Sequence, residues 1–353
     1  MSLADKPSGS DVLPQYGLLG FNLEDQDDHS QPQPIMLNTN APNSAFICGS
    51  QGSGKSHTLS CMLENCLLKD DNTGTLQAPI KGVVLHCDID GAGSTAEAAR
   101  LCFRGIKVRV LVSRSNYHAL EPAYEKFEGA ENNLKVVPLL LQDHQVTVAR
   151  MNKLMAFSET EGHVPLYMSV IQRILREMAL AGNAFTITEL ETKIHAETND
   201  KGQTSMMNLR LELMKGFCSE PARQQAAKAS RKGLQHPPIP FENVFNSEPA
   251  TLTIIDLSDP FVDASTVCVL FDICLNIKEN CSGSGLAVGL DEAHEYLDRS
   301  SAAATFTDHL LTTIREQRHN ATRVLIATQE PTISEKLLDL CSVSIVYRFT
   351  SPA

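Results

Sequence analysis

Short aliphatic runs alternate with longer amphipathic stretches along most of this chain. The short runs predict strands at residues 34–37, 45–48, 82–87, 108–113, 252–257, 286–290, 323–328 and 344–349. The amphipathic stretches predict helices at residues 57–68, 96–104 and 302–319. A repeated strand–helix–strand order is typical of an α/β fold, in which helices cover both faces of a mostly parallel sheet.

The pattern changes between residues 140 and 220, where apolar positions follow helical spacing without strong strands. The predicted helices there fall at residues 146–157, 165–181, 187–197 and 204–217. We interpret this region as a helical insertion into a core formed by residues 34–139 and 251–353.

Two further segments have compositions that disfavour packed structure. Residues 1–33 contain prolines, serines and an acidic cluster from Glu24 to Asp28, so we expect a disordered acidic tail. Residues 221–250 contain three closely spaced prolines, which predict an exposed linker.

Composition restricts the class of protein. The 353 residues are 42% hydrophobic, enough for a large core, and carry a net charge of -12. That charge argues against a protein that coats nucleic acid, although a local basic channel remains compatible with it. The ten cysteines show no paired metal-ligand spacing and no apolar run of about 18 residues occurs, so we expect an intracellular protein, nuclear or cytoplasmic, without a membrane role.

A glycine-rich octapeptide follows the strand predicted at residues 45–48 and has the pattern GxxxxGKS, typical of a phosphate-binding loop. Its glycines let backbone N–H groups turn toward phosphate oxygens, and the next helix presents its positive end. We expect Lys55 to reach the β- and γ-phosphates of a nucleotide and Ser56 to bind Mg²⁺. The predicted nucleotide-binding residues are Gly49, Ser50, Gln51, Gly52, Ser53, Gly54, Lys55, Ser56 and His57.

Two adjacent carboxylates, Asp291 and Glu292, follow the strand predicted at residues 286–290. In a nucleotide hydrolase Asp291 would hold Mg²⁺ through its water shell, and Glu292 would orient and deprotonate the attacking water. The alternative is an acidic helix N-terminus. His294 then either relays the state of the γ-phosphate or is a structural residue.

Gln329 follows the strand predicted at residues 323–328. It would sense the γ-phosphate if that strand lies between the loop strand and the acidic strand, and otherwise it faces solvent. Arg315 and Arg318 lie near the end of the helix predicted at residues 302–319. They either complement the helix dipole or act across a subunit interface in phosphoryl transfer.

The segments GSQGSGKS, LDEAHEYL, REQR and ATQEP, together with Asp88 in CDIDG, resemble the HerA/FtsK superfamily of ring-forming ATPases, with the HerA branch closest. The resemblance implies a RecA-like (ASCE) P-loop NTPase fold that uses ATP and Mg²⁺. It implies nucleotide and metal binding by Lys55 and Ser56, and a trans-acting finger at Arg318 or Arg315. It assigns hydrolysis to Asp291 and Glu292 and sensing to Gln329, and it implies homohexamers that move double-stranded DNA.

Three functions follow from these motifs. The favoured one is a Mg²⁺-dependent ATPase that acts as an oligomeric motor on double-stranded DNA. An ATP-controlled assembly or scaffold protein is the alternative, which the acidic net charge favours. A DEAH-type helicase shares the letters of residues 291–294, but Ala327-Thr328-Gln329 stands where that class has Ser-Ala-Thr, so we rank it last.

Overall fold

A computed structural model of the chain describes most of its residues. The described ranges are 14–22, 32–88, 94–142, 145–155, 166–182, 186–197, 201–218, 248–279, 285–298, 300–331 and 333–348.

The described strands form two sheets. In chain order the strands are β1 (Tyr16–Asn22), β2 (Gln33–Asn38), β3 (Ser44–Cys48), β4 (Gly74–Thr75), β5 (Lys81–His86), β6 (Lys107–Val112), β7 (Leu134–Pro138), β8 (Thr251–Asp256), β9 (Leu286–Asp291), β10 (Thr322–Thr328) and β11 (Val343–Val346). The larger sheet has eight strands in the order β11-β3-β10-β9-β5-β8-β6-β7, and every neighbouring pair is parallel. This confirms the predicted α/β class.

Helices cover both faces of the larger sheet. They are α1 (Lys55–Leu67), α2 (Tyr117–Tyr124), α3 (Ala130–Asn133), α4 (Val148–Met155), α5 (Leu166–Ala181), α6 (Ile187–Glu197), α7 (Lys201–Gly216), α8 (Ala264–Glu279), α9 (Ser301–Glu316), α10 (Glu335–Leu340), and the 3-10 helices Glu97–Arg104 and Ala293–Glu295.

Strand β10 shows how the two faces are filled. Its Leu325 and Ala327 pack with Leu59 of α1 on one face. Its Val324 and Ile326 pack on the other face with residues that include Leu310 of α9. All seven residues of β10 are buried, as expected for a parallel strand covered on both sides.

The four helices expected between residues 140 and 220 are present as α4 to α7. Each contributes a buried apolar residue to the core cluster that contains Phe271 of α8, namely Met151, Ile171, Leu190 and Leu211. The sequence did not indicate α8 itself, because its buried residues lie on nearly all sides and leave no clear polar face.

The expected tail is wrong at Tyr16–Asn22, which form β1 rather than a disordered segment. This strand pairs antiparallel with β2, and Asn65 Nδ2 of α1 donates to Leu18 O at 2.9 Å. Long-range pairing therefore outweighs the acidic composition around it. The acidic cluster itself and most of the predicted linker lie outside the described residues.

The strand predicted at residues 34–37 is β2, but it belongs to the small antiparallel sheet β2-β1-β4. The sequence pattern also did not indicate β7, a five-residue edge strand of the larger sheet. In the described part of the chain, no helix combines the length and the apolar character needed to cross a bilayer.

Candidate functional site

Three sequence motifs meet at the carboxyl edge of the larger sheet. Strand β10 lies between β3 and β9, with Thr328 opposite Cys48 and Ile326 opposite Leu290. Because parallel strands end at the same edge, the loop after β3, the carboxylates at the end of β9 and Gln329 after β10 become neighbours. This is the strand order on which the sensor hypothesis for Gln329 depended.

The loop after β3 turns directly into α1. Gly54 precedes the helix with φ of 99°, in the left-handed region that side chains disfavour. The first N–H groups of α1 have no partners within the helix, so this end is suited to bind an anion. In the described part of the chain, the buried Ser53 Oγ has no hydrogen-bond partner. This hydroxyl is therefore suited to donate to a phosphate oxygen.

Lys55 lies folded against its own loop. Its side chain is buried, and Nζ donates to Ser50 O at 3.1 Å. The amine therefore sits inside the loop, where phosphate oxygens would compete with the Ser50 carbonyl for it.

Ser56 and Asp291 present oxygen atoms to each other across the sheet edge. Ser56 Oγ donates to Asp291 Oδ1 at 2.9 Å, and Asp291 is only 3% exposed. A hydroxyl and a carboxylate are hard oxygen ligands of the kind Mg²⁺ takes, and Mg²⁺ sites are usually completed by phosphates and water. These residues therefore fit the metal ion.

A buried histidine that the sequence analysis does not single out faces this carboxylate. His86 ends β5 opposite Asp291 in the strand register, and Nδ1 lies 3.2 Å from Asp291 Oδ2. This is ion-pair distance, but among the described residues neither ring nitrogen of His86 has well-directed hydrogen-bond geometry. Only the strand order, which places β5 beside β9, reveals the contact.

His86 and Asp291 shift each other's pKa. Burial by itself lowers the pKa of His86, but the carboxylates of Asp291, Asp256 and Asp88 raise it to about 9. Burial raises the pKa of Asp291, and contacts with His86 and the Ser56 hydroxyl outweigh it and bring that pKa below its ordinary value. The carboxylate therefore stays ionised at neutral pH.

Glu292 has an unusual backbone. Its φ of 48° and ψ of 46° lie in the left-handed region, which costs free energy for a residue with a side chain. The half-buried side chain accepts a hydrogen bond from Gln329 Nε2 at 3.1 Å through Oε2. The turn therefore directs this carboxylate toward the residue at the end of β10, and no local signal in the sequence indicates this.

Two histidines in the motifs face carboxylates. His294 Nε2 lies 3.3 Å from Glu295 Oε1, and Nδ1 lies 3.5 Å from Glu292 Oε2. The His294 ring thus lies within 3.5 Å of the candidate catalytic carboxylate as well as of its neighbour Glu295. His57 is 72% exposed in its side chain and faces Glu97 at 3.4 Å, on the solvent side of α1.

The end of β11 braces the loop, a role that the sequence did not indicate. Tyr347 N donates to Cys48 O at 2.7 Å, and Ser50 Oγ donates to Arg348 O at 3.1 Å. The Tyr347 hydroxyl also bonds the Thr58 hydroxyl of α1. The phosphate loop is therefore stabilised by the residues that follow β11 as well as by β3.

Arg315 and Arg318 lie far from these residues in the same chain. Arg315 is in the last turn of α9, and Arg318 lies in the turn before β10; both are exposed. Since α9 runs back to the amino end of β10 over about 24 Å, both arginines lie at the opposite edge of the sheet from the loop. Neither can reach the site of its own chain.

No known family model matches this chain, and no curated protein matches it in sequence. A solved structure of VirB4 of Thermoanaerobacter pseudethanolicus is similar to it, with a TM-score of 0.55 and 14% sequence identity. The similarity covers 95% of this chain and 84% of that chain. At this identity the likeness shows the fold alone, and with the eight-stranded sheet it supports the predicted RecA-like architecture.

Proposed function

We propose that this protein is a Mg²⁺-dependent ATP hydrolase of the HerA/FtsK type that works as an oligomeric motor on double-stranded DNA. The observation that carries the proposal is the convergence of Ser56 with Asp291, and of Glu292 with Gln329, at the end of a lysine-containing phosphate loop. The likeness to VirB4 supports the wider superfamily and does not distinguish the HerA branch within it.

Each residue of the site would have one task. Lys55 and the N–H groups at the start of α1 would hold the phosphates, and Ser56 and Asp291 would hold Mg²⁺. The metal ion, when bound, would neutralise charge on the β- and γ-phosphates. Glu292 would orient the attacking water and take its proton, while Gln329 would respond to loss of the γ-phosphate through its contact with Glu292.

Two substitutions test the hydrolase. Glu292→Gln keeps the size of the side chain and its contact with Gln329 but removes the base, so kcat should fall about 10²–10⁴-fold while ATP affinity changes little. Lys55→Ala should instead weaken binding of a fluorescent ATP analogue at least about tenfold, because it removes a charge-assisted bond to phosphate. Normal turnover by the Glu292→Gln variant would show that the assignment of the base is wrong.

A second experiment distinguishes the DNA motor from an ATP-controlled scaffold protein. The net charge of -12 favours the scaffold. For a motor, double-stranded DNA should stimulate ATP turnover, and the stimulation should weaken steeply as salt rises. For a scaffold, ATP should change the mass measured by light scattering, with no response to DNA. A change in mass with ATP, without stimulation of ATP turnover by DNA, would contradict the motor and support the scaffold.

A further inference from the structure

Three neighbouring strands of the larger sheet end in buried ionisable side chains. Asp291 ends β9, His86 ends β5 and Asp256 ends β8, and the register places His86 opposite both carboxylates. They are 3%, 2% and 0% exposed, respectively. A basic side chain therefore lies between two acidic ones in the interior, directly behind the candidate metal site.

The two carboxylates differ in how their oxygens are occupied. Asp256 Oδ2 accepts from the Tyr124 hydroxyl at 2.6 Å, and Oδ1 accepts from Ser258 N at 2.9 Å. Both carboxylate oxygens of Asp256 thus have hydrogen-bond donors other than His86. Asp291 has Ser56 on Oδ1, whereas the side-chain group facing Oδ2 is His86 at 3.2 Å.

This arrangement gives His86 a specific role. A carboxylate that holds a metal ion or its bound water through one oxygen is oriented by what contacts its other oxygen, and such outer contacts tune metal affinity. We propose that His86 is a positioning residue: Nδ1, at ion-pair distance from Oδ2 of Asp291, keeps this oxygen in place, so that Oδ1 stays directed at Ser56 and the metal site. The inference rests on the proposed ATPase function, because it deepens the assignment of the same site.

Two amide substitutions of His86, by asparagine and by glutamine, have nearly equal polarity but place their N–H groups at different positions. The side-chain amide of asparagine reaches roughly the position of Nδ1, whereas that of glutamine reaches roughly the position of Nε2. His86→Asn should therefore keep a donor near Asp291, and His86→Gln should not. His86→Leu removes the donor and keeps a similar volume.

The test measures metal binding rather than turnover. The full-length variants are titrated with Mn²⁺ in the presence of a non-hydrolysable ATP analogue, and free Mn²⁺ is followed by electron paramagnetic resonance. His86→Leu and His86→Gln should weaken Mn²⁺ binding about 10- to 100-fold, and His86→Asn should retain most of the affinity. Binding of a fluorescent ATP analogue in EDTA should be the same for all of them, because the loop is untouched.

His309 provides the matched control. It also faces two carboxylates, Asp272 at 2.7 Å and Glu279 at 2.8 Å, but it lies between α8 and α9. His309→Leu should leave Mn²⁺ affinity unchanged, even though it places the same apolar side chain beside two acids.

Several outcomes would overturn the inference. Equal Mn²⁺ affinity in wild type and His86→Leu would do so, as would an equal loss for the asparagine and glutamine variants, or a parallel loss of nucleotide binding in EDTA. If His86→Leu does not fold, the asparagine–glutamine pair decides alone. Failure of the wild-type protein to bind the ATP analogue would instead contradict the proposed function itself.

Discussion

Gly289 shows how one missing side chain shapes the site. It lies in β9, where a glycine weakens a strand unless a neighbour packs closely. A Cβ built there would lie 3.1 Å from Val84 Cγ2 and 3.3 Å from Leu59 Cδ1. The glycine therefore lets α1, which follows the phosphate loop, pack close against the strand that ends in Asp291.

We predict that Gly289→Val lowers the free energy of unfolding by about 1–3 kcal/mol, because the added carbons crowd a well-packed core. Urea unfolding followed by circular dichroism measures the change. The matched control is Gly20→Val, since Gly20 also lies in a strand but a Cβ added to it would meet no described atom within 4 Å. Similar stability losses in the two variants would contradict this account of Gly289.

Helices α8 and α9 are joined by a partly buried polar contact. His309 of α9 bonds Asp272 and Glu279 of α8, and Lys153 of α4 lies 3.0 Å from Asp272 Oδ2. Hydrogen bonds with Asp272 and Glu279 raise the pKa of His309 to about 9. A helix of the predicted insertion is thereby connected to the two core helices beneath it.

This contact predicts a pH dependence of stability. Since the pKa of His309 is higher in the folded than in the unfolded protein, its contribution is fully present below pH 6.5 and is lost as pH rises toward 9. The wild type should therefore exceed His309→Gln in the free energy of unfolding by up to about 3 kcal/mol near pH 6, and the difference should shrink as the pH rises across this window. Urea unfolding at several pH values checks it, and a difference that stays constant would rule out the linkage.

At the scale of the whole molecule, the separation of Arg315 and Arg318 from the loop bears on assembly. Both lie at the amino edge of the sheet, and the loop lies at the carboxyl edge. Any role of these arginines in hydrolysis therefore requires a second copy of the chain.

We predict that the double variant Arg315→Ala/Arg318→Ala loses at least about 10³-fold in kcat while it still binds a fluorescent ATP analogue. Mixing it with Glu292→Gln should raise turnover well above the sum of the two separate preparations. In mixed assemblies the Glu292→Gln subunits still supply arginines to sites that retain Glu292. An inactive mixture, with both variants shown to assemble, would argue against a trans-acting finger.

Much of this site was predictable because its signals are local. The apolar runs predict strands by their length and composition alone, and the pattern GxxxxGKS requires only that a strand precede it and a helix follow it. The positions of Lys55, Ser56, Asp291 and Glu292 after their strands followed from the same reasoning.

The tertiary structure decided which strand ends lie side by side. The order β3-β10-β9-β5 brings Gln329 to Glu292 and His86 to Asp291. Because these residues are far apart in the sequence, no local pattern predicts the contacts. Pairing with β2 likewise made a strand of Tyr16–Asn22, where composition alone indicated a tail. Local periodicity thus predicts most of the elements, while long-range packing adds elements such as β1 and determines which of them become neighbours.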